Sequence, residues 1–264
     1  MLEPRLRLAI NTMAVSIQRI LADAQPSIYL YGSVTAEDYQ PGWSDIDLLC
    51  FTDRPITPEQ SEKLLMLRQT LVTETGLPFF RAIEGAVVCS DEFEHNTFSR
   101  LVYWGTGGQK ITNQYVLDPF PRYSLLHYGK CIYGRDMKHL IPPVDFSQML
   151  SAIRQHLLTI RQYAQETNDS LYSCGWLLDI ARCLYTLRHQ TLISKTNAGK
   201  WALAQRLCPE PFQMEQTLAV RQNPSEALKK PEIHSWLKTL GPSIQKFADI
   251  LEKELEEHAN EQMV

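Results

Sequence analysis

Tyr31-Gly32-Ser33 and Ser44-Asp45-Ile46-Asp47-Leu48-Leu49 decide how this chain is read. The run Ile28-Tyr29-Leu30-Tyr31 predicts a strand that ends at Gly32. There a glycine lets backbone amides approach a phosphate with no Cβ in the way. A second strand is predicted over residues 45–51, with two aspartates inside an apolar run. Residues i and i+2 of a strand face the same way, so Asp45 and Asp47 aim their carboxylates at one point. Two such groups repel unless a cation lies between them, and Mg²⁺ takes carboxylate oxygens together with substrate phosphates. An Asp-x-Asp pair is common in turns and acidic surface loops. In an apolar strand behind a Gly-Ser turn, however, an idle charge would be costly, and the stretch reads as a site for metal-bound nucleotide.

Glu84 is a third carboxylate of this kind, inside the predicted strand 79–89 (Ala82-Ile83-Glu84-Gly85-Ala86-Val87-Val88). A positioned glutamate can take the proton of a hydroxyl that attacks the α-phosphate of ATP. The alternative is an edge-strand glutamate that faces solvent or pairs with Arg81.

Outward from these residues, a helix is expected over 5–23 and another over 57–73, where Thr57 is a natural N-cap and Pro58 a first-turn residue. Residues 95–119, rich in glycine and aromatics, are expected to be irregular. Gly105-Thr106-Gly107-Gly108-Gln109-Lys110 lacks the Gly-Lys-Ser/Thr ending of a phosphate loop and reads as a flexible loop. Pro142-Pro143 is the strongest punctuation in the chain. It divides an α/β domain, residues 1–143, from an all-helical domain, residues 144–264. In the latter, apolar periodicity predicts helices near 146–166, 171–190, 195–206, 210–221 and 242–258.

The 264 residues, 44% hydrophobic and 21% charged, suit an ordinary globular protein with an ample core. A formal charge of −4 argues against a broad nucleic-acid surface and suits a cationic small substrate. Six cysteines without Cys-x-x-Cys spacing suggest reduced thiols in a cytoplasmic protein. Neither a signal peptide nor a membrane span is expected. The histidines show no metal-ligand spacing, and no Gly-x-Ser-x-Gly nucleophile turn occurs.

Gly32-Ser33, Ser44-Asp45-Ile46-Asp47-Leu48 and Arg81-Ala82-Ile83-Glu84 resemble the nucleotidyltransferase superfamily. More narrowly, they resemble the bacterial aminoglycoside adenylyltransferases that modify streptomycin and spectinomycin. Trp176-Leu177-Leu178-Asp179-Ile180-Ala181-Arg182-Cys183-Leu184, Ile193-Ser194-Lys195 and Ala198-Gly199-Lys200-Trp201-Ala202-Leu203 are similar to that family's helical half. The resemblance spans about residues 25–206. It implies a polymerase-beta-like mixed sheet followed by a helical bundle, with Mg²⁺ as cofactor and ATP as co-substrate. Asp45 and Asp47 would hold the metal, with Glu84 as base and candidate third ligand. Gly32, Ser33 and Ser44 would bind nucleotide, and Arg182 and Lys195 would reach its triphosphate across a cleft. Trp104 and Asp169 would meet the cationic aminoglycoside.

Each helper has a plainer reading: Arg182 paired with Asp179 one turn away, Lys195 solvated, and Trp104 and Trp201 in the core. Two other function classes stay open. One is the same transfer to a protein, an RNA end or another metabolite. The other uses Arg182 and His189, seven apart on one helix face, as a pair similar to that of helical HEPN ribonucleases.

Overall fold

The protein is described from a computed structural model covering residues 2–105 and 107–261. By contacts the chain divides into two units, residues 1–39 with 44–143, and residues 40–43 with 144–264.

The first unit is a six-stranded mixed sheet. In chain order it has helix α1 (Pro4–Ile20), strands β1 (Ser27–Tyr31) and β2 (Ile46–Thr52), helix α2 (Pro58–Thr75), strand β3 (Ile83–Cys89) and helix α3 (Ser90–Glu94). Strands β4 (Leu101–Gly105) and β5 (Gly108–Thr112), helix α4 (Pro119–Tyr128) and strand β6 (Lys130–Tyr133) follow. The strand order is β5-β4-β3-β2-β1-β6. β2 and β3 are parallel, as a helical crossover through α2 allows, and the other neighbours are antiparallel. The α2 start is fixed as its sequence suggests. Thr57 Oγ1 accepts from Gln60 N at 3.2 Å, and Gln60 Oε1 accepts from Thr57 N at 2.9 Å.

Strand alternation sorts the apolar residues onto two faces. Ile28 and Leu30, Ile46, Leu48 and Cys50, Val87, Val102 and Trp104 pack with Leu6, Met13 and Ile17 of α1 and Leu64 and Leu67 of α2. Tyr29 and Tyr31, Leu49 and Phe51, Ala86 and Val88, and Leu101 form the other face with Leu125 of α4. By the same period of two, Asp47 and Glu84 belong to this second face.

The expected irregular stretch 95–119 instead holds the antiparallel pair β4–β5, with Leu101 opposite Thr112 and Trp104 opposite Gln109. Leu-Val-Tyr-Trp suits a strand, and cross-strand pairing outweighs the glycine content that suggests a loop. Of the glycine-rich hexapeptide expected as a flexible loop, Gly105 ends β4 and Gly108–Lys110 begin β5, while Thr106 lies outside the described residues. The strand expected from residue 79 begins at Ile83, because Pro78–Ala82 forms a 3₁₀ turn. α4 and β6 are additions to the expected elements. β6 pairs with β1 at the sheet edge.

The second unit is helical: α5 (Phe146–Tyr163), α6 (Tyr172–His189), α7 (Lys195–Ala204), α8 (Pro211–Gln222), α9 (Pro224–Ala227), α10 (Pro231–Leu237) and α11 (Gly241–Glu261). α6 packs against α5, α7, α8 and α11. The short helices α9 and α10, each begun by proline, are too brief to show a clear apolar period. Residues 40–43 belong to this unit, where Trp43 faces the Arg221 guanidinium at 5.2 Å.

Candidate active site

The in-register parallel pairing of β2 and β3 sets Asp47 opposite Glu84, and the antiparallel pairing of β1 and β2 sets Tyr31 opposite Asp47. Tyr31, Asp47 and Glu84 therefore form a row across three neighbouring strands, which lie roughly 4.8 Å apart. Asp45, one residue before β2, has the same parity as Asp47. All three carboxylates are half-buried. β3 lies between β2 and β4, so the edge-strand alternative for Glu84 does not hold. Gly85 brings the strands together there: its φ is +140°, and a Cβ would stand 1.6 Å from Leu48 O.

Gly32 is required twice over. Its φ is +67°, and a Cβ built on it would lie 1.9 Å from Asp47 Oδ2. The turn thus presses its backbone directly onto a carboxylate. Gly32 N donates to Ser124 Oγ of α4 at 3.1 Å, and Ser33 Oγ donates to the Asp45 carbonyl at 3.1 Å. Ser33 joins the turn to the aspartates, and Ser44 is buried immediately before Asp45. Gly32→Ala is expected to lose about 1–2 kcal/mol of stability from backbone strain. Displacement of Asp47 should also cost on the order of 100-fold in turnover. Urea titration beside a rate measurement checks both, and an active, fully stable variant would contradict the close approach.

The tyrosine hydroxyls around the row are raised by burial first and by the carboxylates behind it. Burial first, then the nearby Tyr115, Asp47 and Glu84, push the Tyr31 hydroxyl well above the usual phenol range. Tyr103 of β4 is raised by burial and then by Glu84. Tyr39 is pushed up to about 12, by burial and then by Asp45. Such a patch attracts cations.

Among the described residues, no group of three or more His, Cys, Asp and Glu side chains makes a metal cage by itself. Magnesium does not need one, because it commonly binds one or two carboxylates plus substrate phosphates. Hard carboxylate oxygens on one face, under a turn with no Cβ, fit that pattern.

Trp104 is corrected. It is 0% exposed, on the opposite sheet face from Asp47 and Glu84, and its indole N–H donates to Leu64 O at 3.0 Å. Alternation along β4 places Tyr103, not Trp104, on the carboxylate face. Ser124 and Tyr103 are neighbours of the site that the sequence reading missed. α4 is remote in sequence from the Gly-Ser turn, while Tyr103 could have been found by counting strand parity.

In the helical unit, Arg182 Nη2 lies 3.0 Å from Asp179 Oδ1, and Lys195 Nζ lies 3.0 Å from the same oxygen. The plainer reading of Arg182 is thus present, and Lys195 shares its partner. Burial raises the Asp179 carboxyl, but Lys195, Arg182 and His156 together outweigh it and hold it below the usual range. A lowered folded value means that stability is complete above the unfolded value of about 3.9. It is lost as pH falls through the folded value. Asp179→Asn should cost about 1–3 kcal/mol at neutral pH. The gap from the parent should close in acid, as thermal unfolding across pH would show. Asp169, in the loop before α6, is exposed and lies 3.3 Å from Lys238 Nζ. His189 packs edge-on to Trp201, with ring centroids 5.6 Å apart.

Residues 17–83 match the nucleotidyltransferase domain family. Residues 139–240 match the C-terminal domain of aminoglycoside adenylyltransferases. The chain thus joins a nucleotidyltransferase domain to a C-terminal domain of the aminoglycoside adenylyltransferase kind. It is a nucleotidyltransferase, with the mixed-sheet and helical architecture expected of that family. Among solved structures, this chain is similar to the spectinomycin adenyltransferase AAD(9) from Enterococcus faecialis, determined with ATP and spectinomycin. The TM-score is 0.69 at 18% identity, over 92% of this chain and 98% of that one. At this identity the likeness concerns the fold. No curated protein matches the chain. Between the two matched regions of this chain lie residues 84–138, including Glu84, Tyr103 and Ser124. No described helix is long and apolar enough to cross a membrane.

Proposed function

We propose that the protein transfers AMP from ATP to a hydroxyl of an aminoglycoside antibiotic of the streptomycin or spectinomycin kind, and so gives resistance. The observation that carries this reading is the paired register of Asp47 and Glu84 beneath Gly32, in a chain with a C-terminal domain of the adenylyltransferase kind. The ATP and spectinomycin in the structural relative support the choice of both substrates.

The acceptor oxygen forms a bond to the α-phosphorus, and the bond from that phosphorus to the oxygen bridging to the β-phosphate breaks. Pyrophosphate leaves with the electron pair. The acceptor's hydroxyl proton passes to a Glu84 carboxylate oxygen. Asp45 and Asp47 are the residues that would hold magnesium, whose charge offsets that developing on the phosphates. Ser33 ties the phosphate-side turn to Asp45, which keeps the two parts of the site in fixed relation. Ser44, Arg182 and Lys195 are proposed as further nucleotide ligands, and Asp169 as an acceptor contact, on the family resemblance.

Mass spectrometry of the protein incubated with ATP, Mg²⁺, streptomycin and spectinomycin tests the reading. One antibiotic should gain the mass of one AMP. No product from either, with ATP still bound, would move the acceptor to a protein, an RNA end or another metabolite.

A further inference from the structure

We infer that Arg68 of α2 is a positioning residue for Glu84, fixing the backbone from which its side chain projects. This rests on the proposed role of Glu84 as base. Arg68 sits on the buried stripe of α2 with Leu64, Leu67 and Leu71, a place where the helical period calls for an apolar residue. Its guanidinium, in a residue 8% exposed, bridges three strands at one end of the sheet. Nη1 donates to Ile83 O at 2.7 Å, the carbonyl immediately before Glu84. Nη1 and Nη2 each reach Gly105 O at 3.4 Å, at the end of β4. Nη2 and Nε donate to Gln109 Oε1 of β5 at 3.0 and 3.2 Å.

All these acceptors are neutral. A buried cation held by neutral groups alone is costly, and an anion nearby offsets that cost. Burial lowers the Arg68 pKa, while Glu84 and then Tyr103 oppose the fall. An apolar residue could fill the volume, and a neutral amide could satisfy one carbonyl. Only a guanidinium does both while forking to three strands and carrying charge. Its effect on Glu84 runs through the peptide bond Ile83–Glu84, whose carbonyl it holds.

The test is a double-mutant cycle with Arg68→Met, Glu84→Gln and both together, with Arg68→Lys as the conservative variant. Rates are read with ATP, Mg²⁺ and the antibiotics, and folding by thermal unfolding. Arg68→Met is expected to lower kcat about 10- to 100-fold with the KM for ATP within about twofold. Arg68→Lys should recover part of the loss, and Arg68→Met should add nothing in the Glu84→Gln background. Equal losses in both backgrounds, a raised KM at constant kcat, or no recovery with lysine would overturn the inference. Glu84→Gln read alone tests the base, so failure of that assignment is seen separately. Should neither antibiotic react, the same cycle is read on slow hydrolysis of ATP to AMP and pyrophosphate, with water as acceptor. Should Arg68→Met fail to fold, Gln109→Ala removes the outer anchor alone. It should then lower kcat about threefold in the parent and not in Glu84→Gln; a loss in both would overturn the inference.

Discussion

Asp47→Ala should lower adenylyl transfer on the order of 1,000-fold or more, while the melting temperature in magnesium-free buffer stays level or rises. The two halves of this expectation have one cause. Asp47 stands beside Glu84 on the neighbouring strand, with Asp45 two residues before it in the chain. Like charges held together destabilise the fold when no cation is present. Removing one relieves that repulsion. The same removal takes away a carboxylate needed to hold magnesium against the triphosphate. Most disabling core substitutions lower stability and activity together, so a stable but inactive Asp47→Ala protein would separate chemistry from folding. Turnover within tenfold of the parent would sink the assignment of Asp47 to the metal.

Glu84→Gln is the second large effect, and it asks which of two jobs the residue does. The amide keeps the size of the side chain and can still donate or accept hydrogen bonds, but it cannot take a proton. Loss of a general base costs about 10²- to 10⁴-fold. If Glu84 is the base, kcat falls by this amount, ATP binding persists, and the magnesium concentration for half-maximal rate is unchanged. If it is a third ligand instead, that concentration rises, since an amide oxygen is a weaker partner for Mg²⁺. A magnesium titration of the residual rate distinguishes the two. A near-parent kcat would end the base assignment.

Much of the site is legible in the chain's local patterns. The Gly-Ser turn and the period of two along Ser44–Leu49 place Gly32, Asp45 and Asp47 without tertiary information, because strand alternation is a local property. Glu84 stands out as an acid in an apolar strand. Trp104 shows where a role carried over from a resemblance fails: counting along β4 puts it on the helix-covered face with Val102, and its burial against α2 removes it from the substrate. The hairpin β4–β5 escapes a local reading because its stability comes from pairing with β3, a partner about fifteen residues away that local composition cannot reveal.

By itself the sequence determined the order of most helices and strands, the carboxylates of the site and the glycine that admits them. These follow from propensity, capping and alternation, which act over a few residues. Tertiary structure alone decided that Asp47 stands opposite Glu84, that Ser124 takes the Gly32 amide and that Arg68 clasps three strand ends. Those pairings depend on strand register and helix docking. Register is set by which apolar faces must be buried together, a sum over the whole core that no short stretch of chain contains.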